Sequence, residues 1–127
     1  MSKRLITIAI DAMGGENSPY KILKGSEIFS TNKPDVHLKF FGNKNIILET
    51  IKSKKIILKN FEIVNCEDNV LDDDNANKIL RSRKNSSIFK GLNFVKKTHD
   101  SGFISAGNTA ALMILSRLLI GTIEGVD

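Results

Sequence analysis

The chain is poor in the residues that staple, stack or coordinate. Among its 127 residues there is one cysteine, Cys66, so neither an internal disulfide nor a CxxC metal site exists. Cys66 lies in an apolar-rich run and reads as a small core residue. Tryptophan is absent and there is one tyrosine, which leaves little aromatic surface for base stacking. No nucleic-acid-binding motif is present either, so nucleic acid is not an expected partner. The longest later apolar stretch, 110–120, is broken by Ser116 and Arg117 and falls short of the ~20 residues that span a bilayer. The basic start, 1–4, leads into an apolar run too short for a signal peptide and ended by Asp11, so a cytoplasmic location is expected. Neither a GxGxxG fingerprint nor a Walker loop occurs. His37 and His99 lack partner spacing and read as structural. Carboxylates such as Asp72, Asp73 and Asp74 suit Mg²⁺ or Ca²⁺, but the EF-hand spacing and closing glutamate are missing. A solvated acidic turn is the expectation there, with no metal and no cofactor.

What remains is an ordinary globular composition, 41% hydrophobic and 26% charged, at a length that suits one domain. Lysine and arginine exceed aspartate and glutamate by 19 to 14, a formal charge of +5. That excess is compatible with an acidic partner or an anionic membrane surface. Much of it is Lys spread through 52–59 and 84–97, which also reads as scattered surface charge.

Residues 5–10 form a nearly continuous, β-branched apolar run, the pattern of a central parallel strand covered on both faces. A loop with Gly14 and Gly15 follows, and Ser18-Pro19 predicts a helix to about Ser30 with Pro at its first position. A second strand is predicted over 37–41, then a helix capped by Asn43 and carrying Ile46, Ile47 and Ile51. Residues 56–58 are ambiguous, 61–66 read as a third strand, and 67–75 as polar loop. Asn75 or Asn77 starts a short helix to Arg83, and Ser86 or Ser87 starts another with Ile88, Leu92 and Val95 on one face. Asp100-Ser101-Gly102 reads as a turn before a last strand and helix. The alternation predicts an α/β fold, a three-layer sandwich around a mostly parallel sheet, with ligands beyond the carboxyl ends of the strands. The sequence stops at 123–127, just past an apolar helix where such a pattern runs on into another strand, so a fragment is expected.

Three segments carry chemistry. At 103–113 a short apolar run stops at Ser105-Ala106-Gly107-Asn108-Thr109 and an apolar helical pattern begins at once. A helix start leaves backbone N–H groups unpaired and carries roughly half a positive charge, so an anion settles there. Gly107 allows close backbone approach, while Ser105, Asn108 and Thr109 add hydroxyl and amide donors for a phosphate or a developing oxyanion. At Asp11-Ala12-Met13-Gly14-Gly15 an acid follows the strand directly, and two glycines either admit a phosphorylated group to the backbone or merely shape a tight turn. At 81–87, Arg81, Arg83 and Lys84 precede Ser86 and Ser87, which makes either a phosphate clamp or a solvated basic turn with a serine cap.

Together these segments resemble the N-terminal part of the bacterial phosphate acyltransferase family, the fatty acid/phospholipid synthesis proteins. The family's Asp-x-Met-Gly-Gly-Asp is similar to Asp11 through Glu16, its Arg-x-x-Lys/Arg-x-Ser-Ser to Arg81, Lys84, Ser86 and Ser87, and its Ser-Ala-Gly-Asn-Thr-Gly-Ala-Leu-Met to Ser105 through Met113. Glu16 replaces an aspartate, Ala110 a glycine, and Ala76 and Ile79 stand where Pro and Ala are usual. The resemblance implies that 1–127 is the N-terminal portion of a single phosphate acyltransferase domain, with a Rossmann-like sandwich of the isocitrate dehydrogenase and phosphotransacetylase kind. It implies transfer of a fatty acyl group from acyl carrier protein to inorganic phosphate, giving acyl phosphate for phospholipid synthesis. It also implies a cytoplasmic homodimer, peripheral at the inner face of the membrane beside a downstream glycerol-3-phosphate acyltransferase. Under it Asn108, Ser105 and Asp11 are the expected catalytic residues. Arg81, Lys84, Ser86, Ser87, Gly107, Thr109, Gly14 and Gly15 are the expected substrate-binding set. A coenzyme A-dependent phosphotransacetylase and a non-catalytic anion-binding remnant are the alternatives.

Overall fold

The computed structural model describes residues 5–71 and 73–125. Four strands, β1 (Thr7–Asp11), β2 (His37–Gly42), β3 (Phe61–Asn65) and β4 (Ser101–Ile104), form an all-parallel sheet in the order β3-β2-β1-β4. Five helices connect or follow them: α1 (Tyr20–Asn32), α2 (Lys44–Ser53), α3 (Ala76–Ser82), α4 (Ser87–Lys97) and α5 (Thr109–Leu119).

The period of two along the strands divides the side chains between two helical layers. Ile10, Leu38 and Phe40 join Leu23 of α1 and Ile47 of α2 in one core, with Ile56 from the 56–58 segment, which is neither helix nor strand. On the opposite face Ala9, Phe41 and Cys66 meet Phe94 and Val95 of α4 and Phe103 of β4. Beyond α4, buried Ile79, Leu92, Ala111 and Leu115 bind α3, α4 and α5 to one another. The result is the expected α/β/α, Rossmann-like sandwich. Helix α4 lies so close to the sheet that a Cβ on Gly91 would stand 2.1 Å from the Phe103 ring.

Several boundaries differ from the sequence reading. Asp100-Ser101-Gly102 is not a turn throughout: Ser101 and Gly102 belong to β4 and pair with Thr7 and Ile8. The leading run starts its strand at Thr7 and ends it at Asp11, while Leu5 and Ile6 are exposed. Pro19 occupies the cap position of α1 rather than the first helical one, and the Ser18 hydroxyl donates to the Gly14 carbonyl at 2.5 Å. The remaining helices have side-chain caps, from Asn43, Asn75, Ser86 and Asn108, each accepting an N–H three residues on. A cap oxygen satisfies one of the orphaned first-turn donors. No described helix is long and apolar enough to cross a membrane.

Candidate functional site

In an open parallel sheet the crevice beyond the strand ends opens where the chain reverses its order of adding strands. Here β2 and β3 are added to one side of β1 and β4 to the other, so the reversal lies between β1 and β4. A cleft of about 480 Å³ opens there. Asp11, Gly14 and Gly15 line it from β1 and its loop, Ala106, Gly107 and Asn108 from the loop before α5, and Ser87 and Ile88 from the start of α4. Asp68, Asn69, Val70 and Leu71, which follow β3, form the facing wall.

The organising group is Asp11, 5% exposed at the end of β1. Its Oδ1 accepts from the Ser87 hydroxyl at 2.5 Å and from the Met13 and Gly14 amides at 3.0 and 3.1 Å. Its Oδ2 accepts from the Ser105 hydroxyl at 2.7 Å, and Ser105 Oγ in turn accepts the Gly107 amide at 3.1 Å. One carboxylate thus ties three chain segments together. A buried acceptor with this many donors is well satisfied, and losing it would leave each donor stranded. The loops touch backbone to backbone, since a Cβ on Gly14 would lie 2.7 Å from the Gly107 nitrogen. Gly15 adopts φ +87° against Ala106, a conformation glycine takes without strain.

The facing wall is held differently. Asp68 Oδ2 accepts the Asn85 amide at 2.9 Å, and Asp68 returns its own amide to the Asn85 carbonyl at 3.2 Å. Asp74 Oδ2 accepts the Leu71 amide at 2.8 Å and faces Arg83 Nε at 3.3 Å. The Leu71 amide, assisted by the Arg83 guanidinium, holds the Asp74 carboxyl below its ordinary value of 3.8. The solvated acidic turn expected at 72–74 is therefore corrected at Asp74, which is buried among these partners; Asp73 is exposed and Asp72 lies outside the described residues. No cluster of three metal-ligating side chains occurs among the described residues.

The sequence-predicted site residues divide into two groups. Asp11, Gly14, Gly15, Ser87, Gly107 and Asn108 line the cleft, and Ser105 joins them through Asp11. Ser86 is fully buried, its hydroxyl accepting the Phe89 amide as the α4 cap. Arg81, Lys84 and Thr109 are exposed and do not line the cleft. Of the basic cluster it is Arg83 whose engagement is defined, through Asp74. The amides of Gly14 and Gly107 are bound to Asp11 and Ser105, so these glycines serve close loop contact. Glu16 and the 68–71 wall were not anticipated as lining; the signal available was that a loop after a parallel strand must emerge at the ligand end of the sheet. Among its described lining the cleft carries the carboxylates of Asp11, Glu16 and Asp68 and no Lys or Arg.

Two other groups are settled by their surroundings. Burial pushes the Cys66 thiol up to about 11, so it stays protonated and is no nucleophile at neutral pH. His37 sets Nδ1 at 2.8 Å from Asn60 and Nε2 at 3.0 Å from Glu62, a clasp between the starts of β2 and β3, apart from the cleft lining.

Fold and cleft together define an α/β protein with its candidate site at a sheet switch point, where hydroxyls and the starts of two helices meet. Sequence comparison gives the particular group: residues 6–127 match the fatty acid synthesis protein family, and the chain belongs to it. It is similar to a phosphate acyltransferase of Caldicellulosiruptor bescii, 38% identical over 120 residues, covering 94% of this chain and 36% of that relative. The phosphate acyltransferase of Anaplasma marginale is 36% identical over 126 residues, covering 96% and 36%. That of Wolbachia pipientis wMel is 37% identical over 125 residues, covering 95% and 36%. The chain thus spans about a third of the length of these curated relatives, 36% in each case.

Proposed function

We propose that residues 1–127 form the N-terminal portion of a phosphate acyltransferase domain that moves a fatty acyl group from acyl carrier protein to inorganic phosphate. The observation that carries this reading is the buried Asp11 carboxylate, which gathers the Ser87 and Ser105 hydroxyls at one cleft in a chain of this family. A phosphate oxygen attacks the thioester carbonyl carbon, forming a C–O bond and a tetrahedral oxyanion. Collapse of that intermediate breaks the C–S bond, the sulfur takes up the proton that the attacking hydrogen phosphate gives up, and acyl phosphate and free carrier protein leave. Phosphate is itself the nucleophile, so the protein's task is to orient it, exclude water and stabilise charge.

In this reading Asp11, which takes the protons of the Ser87 and Ser105 hydroxyls, aligns the loops that hold phosphate or oxyanion beside the first turns of α4 and α5. Gly14, Gly15 and Gly107 keep the loops close enough to form the seat. Arg81 in the last turn of α3 and Lys84 on the α3–α4 connection, both exposed, together with the positive net charge, attract phosphate and an acidic carrier protein at longer range. The proposed setting is cytoplasmic and homodimeric, at the inner membrane face where a glycerol-3-phosphate acyltransferase consumes the product.

The test is a graft. Residues 6–127 replace the matched third of the Caldicellulosiruptor bescii relative, and acyl phosphate is trapped as hydroxamate from acyl-carrier-protein thioester and phosphate. Turnover is expected with carrier-protein thioester and much less with coenzyme A thioester. A folded graft that forms no acyl phosphate, beside an active parent, removes the reading; preference for coenzyme A redirects it to a phosphotransacetylase.

A further inference from the structure

Asn108 is placed by its sequence context as a donor to phosphate or oxyanion, yet both ends of its amide are engaged within the protein. Oδ1 accepts the Ala111 amide at 3.0 Å, capping α5. Nδ2 donates to the Asp74 carbonyl at 2.7 Å and reaches the Leu71 carbonyl at 3.4 Å. Those two carbonyls belong to the connection whose residues 68–71 form the cleft wall opposite Gly14 and Gly107. From its other side the connection is held by Asp74, through the Leu71 amide and Arg83. A helix cap needs only a side-chain oxygen, which aspartate or serine provides as well as asparagine. What asparagine adds is the amide N–H group, which bonds Asp74, just past the wall, at 2.7 Å and Leu71, the wall's last residue, at 3.4 Å.

We propose that Asn108 is a positioning residue, a latch joining the start of α5 to the 68–71 wall and so setting the width of the cleft. Its effect on turnover rests on the acyltransferase reading; the latch itself does not. The Asn108→Asp variant keeps the cap and places a favourable negative charge at a helix start, but turns a carboxylate toward two carbonyls. Asn108→Ser keeps the cap oxygen and removes the donors. In the 127-residue chain, amide hydrogen exchange at Leu71 and Asp74 should quicken roughly tenfold in both variants, the scale of one net hydrogen bond, while Leu112 in α5 stays protected. If both variants exchange at Leu71 and Asp74 as the parent does, Asn108 is a helix cap only and the latch is wrong. In the graft described above, the latch predicts a several-fold rise in KM for the thioester with a smaller change in kcat. A fall in kcat at unchanged KM would place Asn108 at the reacting atoms and overturn the assignment. A graft inactive even with Asn108 intact, alongside quickened exchange in the variants, supports the latch and defeats the acyltransferase reading instead.

Discussion

The two walls of the cleft are built by opposite means. On one side the loops after β1 and β4 meet backbone on backbone around a buried carboxylate, with glycine where any side chain would intrude. On the other, the connection after β3 stands on two backbone bonds, from Asp68 to Asn85 and from Asp74 to Leu71, together with side-chain-to-backbone hydrogen bonds and one ion pair, with Leu71 exposed at its rim. The first wall depends on steric fit and desolvated hydrogen bonds, which respond sharply to substitution. The second depends on bonds that water can replace singly, so it yields in small steps and responds to pH. The cleft thus sets a rigid seat against an adjustable wall.

The contrast is open to attack, starting from the rigid side. Asp11→Ala strands two hydroxyls and two amides, and about 3 kcal/mol of stability should be lost in urea denaturation. Asp68→Ala on the opposite wall should lose about 1 kcal/mol or less; equal losses would erase the distinction. Gly14→Ala places a methyl 2.7 Å from both the Gly107 nitrogen and Asp11 Oδ2, and should cost about 2 kcal/mol as overpacking. Gly25→Ala, mid-helix with nothing within 4 Å, should stabilise by roughly 0.5–1 kcal/mol, which separates crowding from backbone effects. Asn75→Ala removes the α3 cap behind the adjustable wall and should cost about 1 kcal/mol, read from the same unfolding curves.

The smallest effect is that of pH. The folded Asp74 carboxyl lies below its unfolded value of 3.8, so its stabilisation is complete above that value and disappears as pH falls through the folded one. Glu27 and Glu62 are lowered likewise, by Lys24 and His37 respectively. Asp74→Asn should therefore flatten, without abolishing, the loss of stability below about pH 4 in acid titrations. An unchanged slope would mean the adjustable wall owes nothing to the Asp74 carboxylate and its bonds to the Leu71 amide and Arg83.

Much of the fold was legible because its signals are local. The apolar runs at 5–10 and 37–41, with asparagine caps at positions 43 and 75, announce strands and helices through period and turn chemistry alone. Ser101 and Gly102 were not legible as strand, because β4 gains its pairing from the backbone of β1, which asks little of side-chain type. The site was half legible. Gly14, Gly15, Ser105 and Gly107 announce close loop contact, but which of two adjacent serines turns inward depends on tertiary placement. Ser86 caps α4 while Ser87 reaches Asp11. The wall at 68–71 was missed because its composition is that of any polar loop, and its place is set by Arg83 and Asn108 arriving from other elements.

The intimacy of α4 and the sheet at Gly91 and Phe103 has a consequence for how such a chain changes over time. With 2.1 Å between a would-be methyl and the ring, neither position can drift alone: a larger residue at 91 needs a smaller partner at 103. The pair should behave as one heritable unit, so Phe103→Leu, damaging by itself, becomes the condition under which Gly91→Ala is admitted.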